Sequence, residues 1–241
     1  MISNRSPIPD CSICVLIPVL NEEENLVPTV DAVRRALSGA VGAFEIIIVD
    51  DGSDDRTGEI ADRLARDLDH IRVFHNPRTL GIGYAYRLGY EKTNCDYFVY
   101  IPGDNAWPGV SYSELFSRLG QANIVVSYVL NPEIRPFGRR LLSSLYTAGL
   151  NALFGREMRY YNGLTIYPVS FLRTGPATTF GFGFQAEVLL KALTAGLSYT
   201  EVGLAIDDRA VGKSKALRVR NIVSVIGNIA GLWLSLRWKR R

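Results

Sequence analysis

The fold is decided by two segments, which read SICVLIPVLNEEEN (residues 12–25) and FEIIIVDDGSDDRT (residues 44–57). Each contains an unbroken apolar run, ICVLIPVL (13–20) in the first and IIIV (46–49) in the second, which is typical of a strand buried on both faces of a parallel sheet. Each run then stops at polar and acidic residues. A buried strand that ends in a polar turn and leads into a helix is the repeating unit of α/β proteins.

The alternation of strand and helix patterns continues beyond these two segments. It predicts an α/β fold: a Rossmann-like, mostly parallel sheet with helices on both faces. We expect Asn21 and Glu24 to form a capping box for a helix ending near Leu37, and Ser53 and Asp54 to cap the next helix. The predicted strands are 12–18, 44–50, 71–75, 96–101, 123–128, 163–168 and 198–206, and the predicted helices include 56–68, 81–91, 139–154 and 184–196.

Composition excludes several classes of protein. The chain has 241 residues, of which 47% are hydrophobic, and only three cysteines, so neither a disordered chain nor a disulfide scaffold is expected. No apolar run reaches the roughly 18–20 residues that span a bilayer, and the first ten residues lack the apolar core of a signal peptide. The net charge is −7 over residues 1–120 and +10 over residues 121–241, which suggests two different partners.

Polar clusters follow three of the predicted strands. They lie at residues 21–24, 50–55 and 103–105. Because ligands bind at the carboxyl ends of strands in such sheets, the three clusters predict a site at one edge. One cluster alone would be explained as a turn, since Asp, Asn and Gly favour turns.

The ordered motifs VLIPVLNEEENL, IIIVDDGSDDRT and LGIGYAYRLGY, followed by a turn that contains Asp, resemble family 2 glycosyltransferases of the GT-A fold. The segments FGFQAEVLLKAL (182–193) and DRAVGKSK (208–215) are similar to those of dolichol-phosphate mannose synthases and related polyprenyl-phosphate glycosyltransferases. The resemblance extends approximately over residues 12–215. It implies a nucleotide-sugar site built from Pro18, Leu20, Glu22, Asp50, Asp51, Gly81, Gly83 and Asp104.

The metal motif departs from the family pattern. Where the family carries Asp-x-Asp, this chain reads Pro102-Gly103-Asp104. The resemblance implies a divalent cation, Mg²⁺ or Mn²⁺, with Asp104 as its protein ligand. The loss of the first acid weakens this expectation of metal dependence.

The acceptor side is implied by the second half of the chain. Arg209, Lys213, Ser214 and Lys215 lie in a loop that matches the family's Arg-x-x-Gly-x-Ser-Lys/Arg pattern and would bind phosphates. Gln185 stands where relatives that glycosylate hydroxyls carry an Asp base, which favours a phosphate acceptor, since a phosphate is already an anion. Glu187 would orient the acceptor or the basic loop; the alternative is a solvated helix position. The resemblance thus implies a catalytic set of Asp104, Glu187, Arg209 and Lys215.

The C-terminal segment suggests a membrane contact. Residues 222–236 carry no charge and are followed by a Trp and four cations at 237–241. As a helix they would be about 22 Å long, shorter than the roughly 30 Å hydrocarbon core, so they suit the membrane surface. We therefore divide the chain into a glycosyltransferase domain (1–216) and an amphipathic basic tail (217–241), placed on the cytoplasmic side of a membrane. The tail packing on the protein, on a second copy or on a membrane partner stays an alternative.

Three functions remain open at this point. The first is an inverting glycosyltransferase that moves a sugar from a nucleotide diphosphate to a polyprenyl phosphate, such as dolichyl or undecaprenyl phosphate. The second uses a sugar or lipid hydroxyl as acceptor, with Glu187 as the base. The third is a catalytically weak nucleotide-sugar-binding scaffold, favoured by Pro102. The basic half lacks an aromatic-interleaved motif, so we expect no nucleic-acid partner.

Overall fold

One sheet with helices on both faces forms the described part of the molecule. The structure, a computed structural model, describes residues 8–174 and 183–207. Within these ranges the strands are β1 (Ile8–Val19), β2 (Val41–Asp50), β3 (Ile71–His75), β4 (Tyr97–Tyr100), β5 (Ile124–Val129), β6 (Thr165–Pro168) and β7 (Tyr199–Leu204). The helices are α1 (Leu26–Leu37), α2 (Thr57–Asp67), α3 (Ile82–Lys92), α4 (Gly109–Phe116), α5 (Phe137–Phe154), α6 (Val169–Thr174) and α7 (Phe184–Thr194).

The sheet is mostly parallel, as predicted. Its order is β3-β2-β1-β4-β6-β5-β7. The pairs β1–β2, β1–β4, β2–β3 and β5–β7 are parallel, whereas β6 runs antiparallel to both β4 and β5. Because β1 to β4 are parallel neighbours, the loops that follow them emerge at the same edge of the sheet.

The central strand β1 is buried on both faces. Its side chains Ile13, Val15 and Ile17 belong to a core with α1, α2 and α4, and those of Cys14 and Leu16 to a second core with α3 and α7. All five are fully buried. Full burial of a side chain of this kind contributes about 1.5–3 kcal/mol. Because β1 carries apolar side chains on both faces, the sheet must be covered by helices on both faces.

Both predicted helix caps are wrong. α1 begins at Leu26, and Asn21 has a left-handed backbone (φ 57°) while its Oδ1 accepts a hydrogen bond from the Asp54 N–H. α2 begins at Thr57, and the Ser53 hydroxyl donates to Asp50 instead. Short polar side chains bond to any backbone or side chain within reach, and here the neighbouring loop offers partners that the helices do not.

Helix α5 lies on the surface. The predicted helix 139–154 is present as Phe137–Phe154, but Leu150 is its one buried residue. The sequence pattern of this segment leaves two alternatives open, a helix on a lipid surface and an ordinary core helix with solvated arginines. The exposure of α5 along most of its length contradicts the second. Among residues 8–174 and 183–207, no helix combines the length and hydropathy needed to cross a membrane.

The approach of β6 to β5 yields a stability prediction. A Cβ on Gly163 would lie 2.0 Å from the backbone oxygen of Ser127 in β5. We expect Gly163→Ala to lower the free energy of unfolding by about 1–3 kcal/mol or more, because strand backbone must move. Gly149→Ala in α5 meets nothing within 4 Å and should be neutral or add about 0.5–1 kcal/mol. Chemical unfolding measures both; equal stability of the two variants would contradict the prediction.

Candidate functional site

The loops after β1 and β2 are joined at the carboxyl edge of the sheet. The backbone N–H of Asn21 donates to the Ser53 hydroxyl at 3.0 Å, and the Asp54 N–H donates to the Asn21 side chain at 2.8 Å. The Glu22 N–H donates to the Thr57 hydroxyl at 2.8 Å. The first two predicted polar clusters therefore form one surface, as the sequence indicates.

Asp51 binds the loop that follows β3. Its carboxylate is buried and accepts three hydrogen bonds, from the Asn76 side chain (2.8 Å), the Leu80 N–H (2.8 Å) and the Gly81 N–H (2.9 Å). The sequence places Asp51 and Gly81 in the same site, and the structure connects them directly. Both oxygens of Asp51 thus serve to hold the loop.

Asp50 is also buried and closes a turn. Its Oδ1 accepts hydrogen bonds from the Ser53 N–H (3.0 Å) and the Ser53 hydroxyl (2.6 Å), and its Oδ2 lies 3.1 Å from Nδ1 of His75. Sequence reasoning missed His75 and Asn76. The signal was available, because His75 ends the third strand and Asn76 follows it directly, so both belong to the same edge as the other polar clusters.

The glycines at 81 and 83 open helix α3. Gly81 precedes the helix with φ at 93°, a conformation that is costly for residues with a side chain. Gly83 is buried in the first turn. The N-terminus of α3, with its partial positive charge, therefore lies at the edge where Asp51 binds Gly81, and such helix ends favour phosphate groups.

Asp104 lies in the loop after β4. Its side chain is buried, and Oδ1 accepts a hydrogen bond from the Ala106 N–H at 3.3 Å. A Cβ on the preceding Gly103 would lie 2.4 Å from Cγ1 of Val19 and 3.3 Å from the backbone oxygen of Pro18. The loop of Asp104 is thus packed against the end of β1, beside the loops that hold Asp50 and Asp51.

Tyr112 in α4 lies near Asp104. Burial, and in second place the negative charge of Asp104, raise the pKa of the Tyr112 hydroxyl well above its usual range. Tyr112 therefore stays neutral and adds no second anion to this part of the site.

The residues around Asp104 supply one carboxylate for a divalent cation. Pro102 occupies the position of the first acid, and no group of three or more Asp, Glu, His or Cys suited to a metal occurs within the described ranges. Proteins commonly hold Mg²⁺ through one or two carboxylates together with substrate phosphates. This donor set therefore fits a cation shared with a diphosphate and does not fit one held by the protein alone.

Gln185 and Glu187 lie in the first turn of α7. The Gln185 amide donates to the backbone oxygen of Gly163 at 3.4 Å. The side chain lines a narrow cavity together with Tyr86, Tyr100, Gly163, Thr165 and Tyr167. Because Tyr100 ends β4, this cavity places Gln185 on the same side of the sheet edge as the Asp104 loop.

Glu187 is buried and forms an ion pair with Lys191, with 2.7 Å between Oε1 and Nζ. The alternative of a solvated helix position is therefore wrong. A carboxylate at 5% exposure needs such a cation, because burial of an unpaired charge is costly.

The basic residues Arg209, Lys213, Ser214 and Lys215, together with the tail 217–241, lie outside the described residues. The chain that leads to them is held by hydrogen bonds to the rest of the molecule. The Asp207 N–H donates to the backbone oxygen of Ala106 at 3.0 Å, and Ser111 and Asn131 bind the backbone of residues 205 and 206. The segment that precedes the basic loop therefore lies beside the loop of Asp104.

The sequence comparison agrees with this geometry. A family model described as glycosyl transferase family 2 matches residues 14–177, which include all four loops of the edge. The chain belongs to glycosyltransferase family 2. The match confirms the resemblance seen in the motifs, and with it the glycosyltransferase class.

Several curated proteins resemble the chain over most of its length. Glycosyltransferase AglD of Haloferax volcanii is 30% identical over 95% of this chain. The polyprenol monophosphomannose synthase of Mycolicibacterium smegmatis is 29% identical over 83% of it, and the undecaprenyl-phosphate mannosyltransferase of Micrococcus luteus is 25% identical over 94%. The chain spans 38% of the length of AglD and 79% and 96% of the other two proteins.

Solved structures support the fold. Glucosyl-3-phosphoglycerate synthase from Mycobacterium tuberculosis, in complex with Mn²⁺, UDP-glucose and phosphoglyceric acid, matches with a TM-score of 0.72 at 21% identity, over 93% of this chain and 80% of that one. The same enzyme with Mg²⁺ and UDP matches with a TM-score of 0.68 at 20% identity, over 94% and 79% of the two chains. The expected GT-A fold is confirmed.

The bonds of Asp51 yield a second stability prediction. In Asp51→Asn an amide NH₂ replaces one acceptor oxygen, so at least one of the three donors loses its partner. We expect the free energy of unfolding to fall by about 2–3 kcal/mol, the cost of leaving buried polar groups unsatisfied. Asp54→Asn, at an exposed position of the same loop, is the matched control and should change stability by less than about 0.5 kcal/mol. Denaturant unfolding measures the stability of both variants. Similar losses of unfolding free energy in Asp51→Asn and Asp54→Asn would refute the prediction.

Proposed function

We propose that this glycosyltransferase moves one sugar from a nucleotide-diphosphate sugar to a polyprenyl phosphate, with inversion at the anomeric carbon. The observation that carries the choice of acceptor is Gln185. Its neutral amide donates to Gly163 and cannot take a proton from a hydroxyl, whereas a phosphate is already an anion and needs no base. Relatives named polyprenol monophosphomannose synthase and undecaprenyl-phosphate mannosyltransferase support the same acceptor class.

The donor would bind at the carboxyl edge of β1 to β4. Pro18, Leu20 and Glu22 and the loops held by Asp50 and Asp51 form the nucleoside side of the edge, with Gly81 and Gly83 at the N-terminus of α3. Because hydrogen bonds between the loops hold these groups in place before the donor arrives, little ordering remains to be done on binding. Asp104 would hold a divalent cation together with the diphosphate, and that cation, when bound, neutralises charge on the leaving nucleoside diphosphate.

The reaction would be a single displacement. An oxygen of the acceptor phosphate forms a bond to the anomeric carbon while the bond from that carbon to the diphosphate oxygen breaks, so no proton is transferred. The buried pair of Glu187 and Lys191 supports the helix turn that presents Gln185. Arg209, Lys213, Ser214 and Lys215 would gather the phosphates, since the chain that precedes them lies against the loop of Asp104.

The acceptor class suggests where the protein works. A polyprenyl phosphate is reached from a membrane, and we place the protein as a peripheral protein on its cytoplasmic side. Helix α5 supports a lipid contact: Phe137, Leu141 and Leu145 recur every four residues and are 73%, 48% and 62% exposed. The charged residues of the helix are two arginines, Arg139 and Arg140. An apolar stripe beside cations suits an anionic lipid surface. The basic tail 217–241 would add a second contact.

A transfer assay tests the proposed reaction. Purified protein is incubated with radiolabelled UDP-glucose, GDP-mannose or UDP-N-acetylglucosamine and with undecaprenyl phosphate, undecaprenol or 3-phosphoglycerate, with and without Mn²⁺ or Mg²⁺. Label on undecaprenyl phosphate alone supports the proposal. Label on undecaprenol would favour a hydroxyl acceptor with Glu187 as base, and donor binding without turnover would favour a nucleotide-sugar-binding scaffold.

The same assay gives a prediction for Asp104. Asp104→Asn should lower the rate of transfer at least about 100-fold, as is typical when charge stabilisation of a leaving group is lost. Asp67→Asn, an exposed acid at the far end of α2, is the matched control and should leave the rate unchanged. An Asp104→Asn variant with normal turnover would contradict the role given to this carboxylate.

Vesicle binding tests the stripe on α5. The double variant Leu141→Ser and Leu145→Ser should bind phosphatidylglycerol vesicles at least about tenfold more weakly, since each buried leucine is worth up to 1.5–3 kcal/mol, about a factor of ten or more. Val110→Ser, at a position 71% exposed on α4 across the sheet, is the control. Co-sedimentation measures both. Equal binding by the double variant and the wild type would rule out α5 as the lipid contact.

A further inference from the structure

A histidine behind the donor edge lies between two carboxylates. His75, the last residue of β3, has Nδ1 at 3.1 Å from Oδ2 of Asp50 and Nε2 at 3.0 Å from Oδ1 of Asp62. Asp50 belongs to the proposed donor edge, whereas Asp62 comes from α2 and is half exposed. Nothing in the proposed reaction uses His75 or Asp62, so their arrangement needs its own explanation.

The two contacts of the His75 ring nitrogens favour the charged imidazolium form. An ionised carboxylate only accepts hydrogen bonds, so each ring nitrogen needs its own proton to bond with its partner. The imidazolium is the one form of histidine that donates from both nitrogens. The bond to Asp62 first, and that to Asp50 with the charges of both carboxylates after it, raise the pKa of His75 above its ordinary value of 6.5, against an opposing effect of burial. Among the described residues these two acids are the charged groups that face the ring.

The pair of His75 and Asp50 continues into the donor loops. The other oxygen of Asp50 accepts from the backbone and hydroxyl of Ser53, and the Ser53 hydroxyl in turn accepts from the Asn21 N–H. A chain of hydrogen bonds therefore runs from Asp62 through His75, Asp50 and Ser53 to the loop after β1. Charge-assisted bonds of this kind are about twice as strong as neutral ones.

Gly58 in the first turn of α2 makes room for this chain. A Cβ at this position would lie 2.9 Å from Oδ2 of Asp50 and 3.5 Å from Cε1 of His75. The absence of a side chain allows the helix to approach the carboxylate and the ring together. The first turn of α2 is thus built around the contact between Asp50 and His75.

We propose that His75 is a positioning residue of the donor site, which as an imidazolium holds the carboxylate of Asp50 and so fixes the turn of residues 50–53 for the nucleotide. The inference rests on the proposed function for the identity of the donor. A neutral ring has one N–H, so loss of the proton leaves one carboxylate facing a lone pair. The stabilisation is therefore complete below pH 6.5 and is lost as pH rises through the raised pKa.

Nuclear magnetic resonance tests the charge state without a ligand. The chain has two histidines, and burial together with Arg34 lowers the pKa of His70, so the two titrations should separate on either side of 6.5. His75→Gln identifies the upper one by its absence. Asp62→Asn should move the His75 midpoint to lower pH, whereas Asp67→Asn on the same helix should not. A His75 midpoint at or below that of His70, or one unmoved in Asp62→Asn, would overturn the proposal.

Nucleotide affinity tests the positioning role. Calorimetry with UDP and with GDP, in the presence of Mg²⁺, should show binding that weakens about tenfold as pH rises through the His75 midpoint, the scale expected for one charge-assisted bond. In Asp62→Asn the same fall should begin at lower pH. In the transfer assay, the Michaelis constant for the donor should rise over the same pH range, with kcat little changed. Affinity that does not follow the His75 midpoint would refute the positioning role even if stability does follow it.

A wrong proposed function can be distinguished from a wrong positioning role for His75. If wild-type protein binds neither UDP nor GDP, the donor class is wrong, and hydrogen exchange then decides the positioning of the turn. The Ser53 amide donates to Asp50. The hydrogen-exchange rate of this amide, corrected for the intrinsic effect of pH, should therefore increase as pH rises above the His75 midpoint. In Asp62→Asn the increase should begin at a lower pH. A corrected Ser53 exchange rate that does not change at the His75 midpoint would overturn the proposal.

Discussion

A buried carboxylate must be given hydrogen-bond donors, and the way in which Asp51 obtains them organises the whole edge of the sheet. Its three partners come from a loop 25 to 30 residues further along the chain. Buried ions without partners are strongly destabilising, so the fold places the end of β2 and the start of α3 together. The N-terminus of α3 is thereby held at the edge where a diphosphate would bind.

The neighbouring loops are held by the same kind of bond. Asn21, Ser53 and Thr57 use side-chain oxygens to bind backbone N–H groups of the adjacent loop, and Asp50 links Ser53 to His75. Loops that bind ligands are commonly mobile, and their ordering reduces affinity. In this protein the ordering is supplied by folding, because buried carboxylates and short polar side chains connect three strand ends before any ligand is present.

The division of charge along the chain acquires a structural meaning. The acidic half supplies the carboxylates that hold the loops of the proposed donor edge, and it supplies Asp104 in the loop after β4. The basic half supplies α7, where Lys191 neutralises Glu187, and α5, whose two arginines lie beside an exposed apolar stripe. The two halves meet at one edge, since Asp207 binds the loop of Asp104. Within the described residues, both halves of the chain thus contribute to one sheet and meet at the loop of Asp104.

The strands, the α/β class and the sheet edge that carries the polar clusters could be predicted from the sequence, because apolar runs report burial on both faces and polar residues must follow where a strand leaves the core. The folded chain was needed to reveal the antiparallel insertion of β6, the exposure of α5, and the partners of Asn21, Ser53, Asp50 and Asp51. The local order of apolar and polar residues predicts which side chains are buried and with what period burial recurs along a strand or helix. A hydrogen-bond partner depends instead on which distant segment the fold brings within 3 Å, and both predicted caps were wrong for that reason.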